Sequence, residues 1–356
     1  MIHNKKRIDG LDLMKAIGIL MVVSLHVPLW WLDFISSPDW QHKIQYALRL
    51  IAEGVPIFLM VNGFLLLRKT EFDFEKHIRK MGKIFCILLI WSVILTLIGS
   101  WMAGEILTFR SFLLYILNTC MGSTYTGVLW FLQSLLAVYL VFPLIWHIYK
   151  EHQRVFEYFF VILFLFGEVF NGIGLLRDYL GTCTNIVVID SLLVWITRFN
   201  AIDNLWYVFY FCLGGMIWNH IMWIQQHRKS LIFAGGMAWV MAYLYGYMMS
   251  MRIGEIYNPA YNYNSPFMLV MLIGLFALVL PYENKGKFVQ KLLSSIGANT
   301  FGIYLSHFIF IFIIQKYYSY QNFGQGLLVY LIVFLCSYLF SILIKRIPIL
   351  HWIVEI

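Results

Sequence analysis

Charge is what this sequence has least of. Asp, Glu, Lys and Arg make up 12% of its 356 residues, and only 18 of those side chains are acidic. Soluble domains draw about a quarter of their residues from these four types, so a soluble globular fold is excluded. Proline is scarce as well, at 8 residues, and no low-complexity linker or internal repeat divides the chain. That absence favours one domain spanning 1–356 and argues against an inverted-repeat transporter. Cysteine numbers 5, with no CxxC spacing, so neither a zinc site nor a redox motif is expected and no metal is assigned. Cys120 and Cys183 both fall in loops on one side, where a bridge and two unpaired small hydrophobes are both open.

Apolar residues fill the space: 61% of the chain is hydrophobic, with a mean hydropathy of +0.76. Runs long enough to cross about 30 Å of hydrocarbon recur at 11–30, 46–67, 84–102, 128–148, 156–175, 203–222, 231–250, 266–282, 299–315 and 325–344. The expected fold is therefore all-α and polytopic in a lipid bilayer, with about ten transmembrane helices. Net charge is +8, yet it calls for no nucleic acid. With Lys and Arg assigned to alternating sides of ten spans, eighteen fall on the side of the N-terminus and seven on the other. The positive-inside rule then places both termini in the cytoplasm. The first run is long, contains His26 and lacks a small-x-small cleavage site, so it reads as an uncleaved signal anchor.

Two connectors stand out. The loop 68–83, RKTEFDFEKHIRKMGK, is long enough for a short helix on the cytoplasmic surface. The segment 182–204, with Asp190, Trp195, Arg198 and Asp203, could cap the outer opening. A cytoplasmic chain end at Glu355–Ile356 leaves open a soluble domain beyond it.

The chemistry concentrates in two spans. In the first, DLMKAIGILMVVSLH, Asp12, Lys15 and His26 share one helical stripe, with His26 about 16 Å beyond Lys15. Ionisable groups within a span normally face a wet cavity or a protein interior. Asp12 and Lys15 could instead pair and snorkel at the boundary, but His26 lies too deep for that. In the ninth span, ANTFGIYLSH places Thr300, Tyr304 and His307 on one face. Two histidines on facing spans suit acid–base work or a proton relay; simple interhelical hydrogen bonding is the alternative. Glu168, in FLFGEVFNG, is a third intramembrane candidate, for pairing or for substrate binding.

These residues resemble the acyltransferase-3 family of membrane acyltransferases, whose first span has an Asp ahead of a basic residue separated by ten positions from a His. Here those are Asp12, Lys15 and His26, with Lys where many members have Arg. The stretches GVPIFLMVNGFLL from Gly54, VLWFLQSLLAVYLVFP from Val128, FYFCLGGMI from Phe209 and TFGIYLSH from Thr300 agree in order. Asn62 departs from the usual Ser before Gly63. No Ser or Cys stands out as a nucleophile, which suits direct transfer through a His base.

The resemblance implies an acyl-CoA donor, usually acetyl-CoA, entering from the cytoplasm and a small hydroxyl or amine acceptor on the other side. Lys15, helped by Arg79, Lys83, Asn62 and Trp130, would bind the cofactor, with lysine acting as a point charge on its phosphates. His26 would be the general base, with Asp12, Tyr304 and His307 orienting groups or stabilising the oxyanion, and Glu168 would meet substrate. The VPIFLM stretch is similar to the smaller bacterial members, which implies a bacterial cell membrane and a cell-envelope glycan as one acceptor. Among those the chain also resembles the membrane half of VanT-type serine racemases of glycopeptide resistance. That branch implies an L-serine permease as the rival function, with L-serine also an acceptor candidate.

Overall fold

The computed structural model describes residues 8–27, 34–35, 39–119, 127–181, 205–260, 263–283, 286–319 and 322–356, with helices and no strand among them. The elements are α1 (Asp9–His26), α2 (Trp40–Arg49), α3 (Val55–Leu67), α4 (Phe74–Ala103) and α5 (Phe109–Thr119). A 3₁₀ turn, Gly127–Leu129, leads into α6 (Trp130–Glu151), followed by α7 (Gln153–Gly181). Then come α8 (Trp206–Asn219), α9 (Ile221–Gln226), α10 (Arg228–Ile253), α11 (Pro266–Val279), α12 (Lys287–Tyr317) and α13 (Phe323–Lys345). A last 3₁₀ turn covers His351–Val354. The fold is an all-α polytopic membrane protein. Among the described residues, six helices are long and apolar enough to cross a membrane, namely α4, α6 with its leading turn, α7, α10, α12 and α13, while α3 and α11 are shorter apolar helices. The Cys120–Cys183 pair and the segment 182–204 lie outside the described residues.

Two expectations change. The run 46–67 is not one span: α2 ends at Arg49 and α3 begins at Val55. Pro56 in the first turn of α3 has no N–H to continue a preceding helix. The surface helix expected within 68–83 is instead the first part of α4. Asp73 caps it by accepting from the Lys76 N–H at 3.0 Å, and the helix runs on until Gly104, whose φ of 70° gives the left-handed C-terminal cap. The Lys76 side chain and backbone N–H hold the Asp73 carboxyl below its ordinary range.

Helix pairing is set by small residues. A Cβ on Gly63 or Gly214 would fall on the Phe211 or Met60 carbonyl oxygen, so α3 and α8 touch backbone to backbone, as small-residue interfaces in membranes allow. The most extensive helix packing is that of α3 with α8, α10 with α11, α12 with α13 and α1 with α12. The C-terminal turn is tied to α4, with the Trp91 indole N–H donating to the Ile353 carbonyl at 2.9 Å.

Candidate functional site

Two cavities meet at one side chain. The smaller, about 310 Å³, is lined by Lys15, Asn62, Lys80, Thr300 and Tyr304, and its floor by Val354, Glu355 and Ile356. The larger, about 630 Å³, is lined by His26, Arg49, Glu53, Trp130 and Trp206, with Tyr263 and, again, Tyr304. Tyr304 is buried and donates its hydroxyl to the Val128 carbonyl in the turn that starts α6. It thus forms the septum between the two chambers.

The α1 stripe behaves as its periodicity requires. Lys15 and His26 share a face, yet each serves a different cavity. Asp12 is buried, and Lys15 Nζ lies 3.8 Å from its Oδ1. Gly297 of α12 leaves room for that carboxylate, since a Cβ there would sit 3.0 Å from Asp12 Oδ1. From α12 the stripe Thr300, Tyr304, His307 faces α1. His307 is fully buried and donates from Nδ1 to the Tyr304 carbonyl at 2.5 Å. Its ring centroid is 5.3 Å from that of His26, and Phe308 packs edge-on to both.

The wall facing His26 was not legible as a site. Arg49 donates to Glu53 at 3.2 Å, and Glu53 is only 3% exposed. The Tyr263 side chain interacts with the same carboxylate. Tyr263 holds a left-handed backbone, φ 59°, unusual for an aromatic residue and frequent where a site dictates it. Its ring stacks on Trp206 at 4.8 Å, and Trp130 lies 5.7 Å from it. The result is a neutral ion pair beside a three-ring aromatic wall. The only advance signal for the pair is the i, i+4 spacing of Arg49 and Glu53.

Other expected residues are placed differently. Arg79 is an exposed partner of Glu75 at 3.1 Å and lines neither cavity. Lys83 also lines neither, whereas Lys80 does, with its ammonium 4.9 Å from the Tyr139 ring centre. Asn62 lines the cavity of Lys15, whereas Trp130 lines that of His26. Glu168 is buried in a π turn, Leu165–Val169, where it interacts with Tyr210 and reaches neither chamber.

The arrangement sets two ammonium groups, Lys15 and Lys80, on one chamber and the His26 imidazole on the other, with Tyr304 lining both. A family model described as an acyltransferase domain matches residues 8–346. No curated protein and no solved structure matches the chain.

Proposed function

The chain belongs to the acyltransferase-3 family, and from that premise we propose that it moves an acyl group, acetyl in the first instance, from cytoplasmic acyl-CoA to a hydroxyl or amine acceptor. The donor enters the Lys15 cavity, where Lys15 and Lys80 meet its phosphates. The pantetheine arm extends along α1 past Tyr304, bringing the thioester carbonyl to His26. The acceptor occupies the larger cavity against Trp206, Tyr263 and the Arg49–Glu53 pair.

The bare nitrogen of His26 takes the acceptor proton as the oxygen or nitrogen attacks the carbonyl carbon. The tetrahedral intermediate collapses with cleavage of the C–S bond, and the proton on His26 passes to the departing thiolate. Ester or amide and free CoA thiol leave, with His26 neutral again. General-base assistance of this kind contributes about 10²–10⁴-fold.

The observation that carries the reading is that Tyr304 is common to the cavity of Lys15 and the cavity of His26. The test is transfer from radiolabelled acetyl-CoA by purified protein to a panel of acceptors that includes L-serine and cell-envelope glycan fragments. Labelled product supports acyl transfer. No product with any acceptor, together with serine uptake into vesicles carrying the protein, replaces it with the permease reading.

A further inference from the structure

His307 is fully buried, and its Nδ1 faces the Tyr304 carbonyl oxygen at 2.5 Å. A carbonyl oxygen only accepts, so Nδ1 carries the proton, and in the neutral ring Nε2 keeps a bare lone pair. That Nε2 is buried with no hydrogen-bond partner, although buried polar atoms are nearly always paired. The tautomer is fixed by the backbone, and what remains is an acceptor aimed into the protein.

The surroundings restrict what it can accept from. Of the ring neighbours of His307 among the described residues, Phe308 has no donor and Tyr304 has committed its hydroxyl to the Val128 carbonyl. His26 is the remaining one, with ring centroids 5.3 Å apart and planes inclined by 41°. An N–H···N bond of about 3 Å between two imidazoles puts their centroids roughly 5 Å apart. The observed centroid separation is close to that value, and the His26 ring borders the larger cavity.

We propose that His307 is a positioning residue for His26: its Nε2 accepts one N–H of the His26 ring, so that the other nitrogen of His26 stands bare toward the cavity. The proposal rests on the reading of His26 as base and adds how the base acquires its orientation. The chain Tyr304 carbonyl, His307, His26 runs from α12 to α1 and sets one tautomer at each ring. When His26 takes the acceptor proton, its second N–H stays on His307. The proton therefore leaves only from the cavity side, to the thiolate, and none is transferred to His307.

The experiment uses the full chain in lipid bilayers with ¹⁵N-labelled histidine, the His307 resonances being assigned by their loss in His307→Gln. In wild type, His307 Nε2 is expected to resonate as a hydrogen-bonded acceptor and, in His26→Ala, to move to the position of an unbonded ring nitrogen. An unchanged His307 Nε2 resonance overturns the proposal, whatever the activity. A second arm compares His307→Gln, whose amide oxygen keeps an acceptor, with His307→Leu, which has none. Transfer is expected to stay within about tenfold of wild type in His307→Gln and to fall about a hundredfold in His307→Leu, with acyl-CoA binding kept in both. Equal activity in the two variants would make His307 packing alone. Failure of the base reading looks different: His26→Ala would then transfer as well as wild type while the resonance still moves.

Discussion

Lys15 and His26 stand on one face of α1, about 16 Å apart along its axis, and open into two different cavities that share Tyr304. One helix face thus presents a cation to one chamber and an imidazole to the other. That relationship separates in space two residues that a sequence stripe only groups together.

If Lys15 meets donor phosphates, Lys15→Ala should weaken acyl-CoA binding about tenfold or more, the loss of one hydrogen bond to a charged group. Lys15→Arg should keep most of the affinity, because the charge remains. Lys80→Ala should behave like Lys15→Ala, and Arg79→Ala should bind as wild type, since Arg79 is an exposed partner of Glu75. Equilibrium binding of a labelled acyl-CoA checks all four. Wild-type affinity in Lys15→Ala would leave Lys15 as a partner of Asp12 only.

The Arg49–Glu53 pair is a second target. Glu53 is buried and Arg49 partly so, and removing the cation that compensates a buried carboxylate is more damaging than removing both groups. Arg49→Met should lower the unfolding temperature and destabilise the protein on the order of 3 kcal/mol, while Arg49→Met combined with Glu53→Leu should recover much of that stability. The recovered double variant should still bind acyl-CoA but lose acceptor use, read as a rise in the acceptor KM. A double variant with unchanged acceptor KM would remove this wall from the acceptor site.

Much of this site was legible in the sequence wherever a helical period could be followed without interruption. Asp12, Lys15 and His26 share a stripe of α1, and Thr300, Tyr304 and His307 share one of α12, because neither stretch contains a break. Legibility ended where the backbone departed from the α period or the chain returned from far away. Lys80 lines the cavity and Arg79 does not, because one residue is about 100° of helix and the start of α4 was not expected so early. Glu168 sits in a π turn that alters the local register. Tyr263 reaches Glu53 from a connector about two hundred positions along the chain, with a left-handed backbone that its residue type does not announce.

Close helix approach gives a stability test independent of chemistry. Gly214→Ala should be destabilising by about 1–3 kcal/mol through overpacking, since its Cβ would fall 2.0 Å from the Met60 carbonyl oxygen. Gly236→Ala on α10 meets nothing within 4 Å and should be neutral or slightly stabilising. Thermal unfolding in one detergent compares them directly. A Gly214→Ala protein as stable as wild type would contradict the tight α3–α8 contact.

The positive-inside rule makes a prediction about orientation: with both termini expected in the cytoplasm, Glu75 would face the cytoplasm and Tyr257 the outside. Variants carrying one cysteine at either position should separate under a membrane-impermeant thiol reagent applied to intact cells. Modification at Tyr257→Cys and none at Glu75→Cys is expected. Modification at Glu75→Cys would invert the assignment and place the donor on the wrong side.

In the proposed mechanism His26 performs the transfer step without holding the donor. The direct measurement pairs acyl-CoA binding with single-turnover transfer in wild type and His26→Ala. The expected result is transfer lower by at least about a hundredfold with donor affinity unchanged, because a base acts in the step and not in binding. Transfer by His26→Ala at the wild-type rate would contradict it.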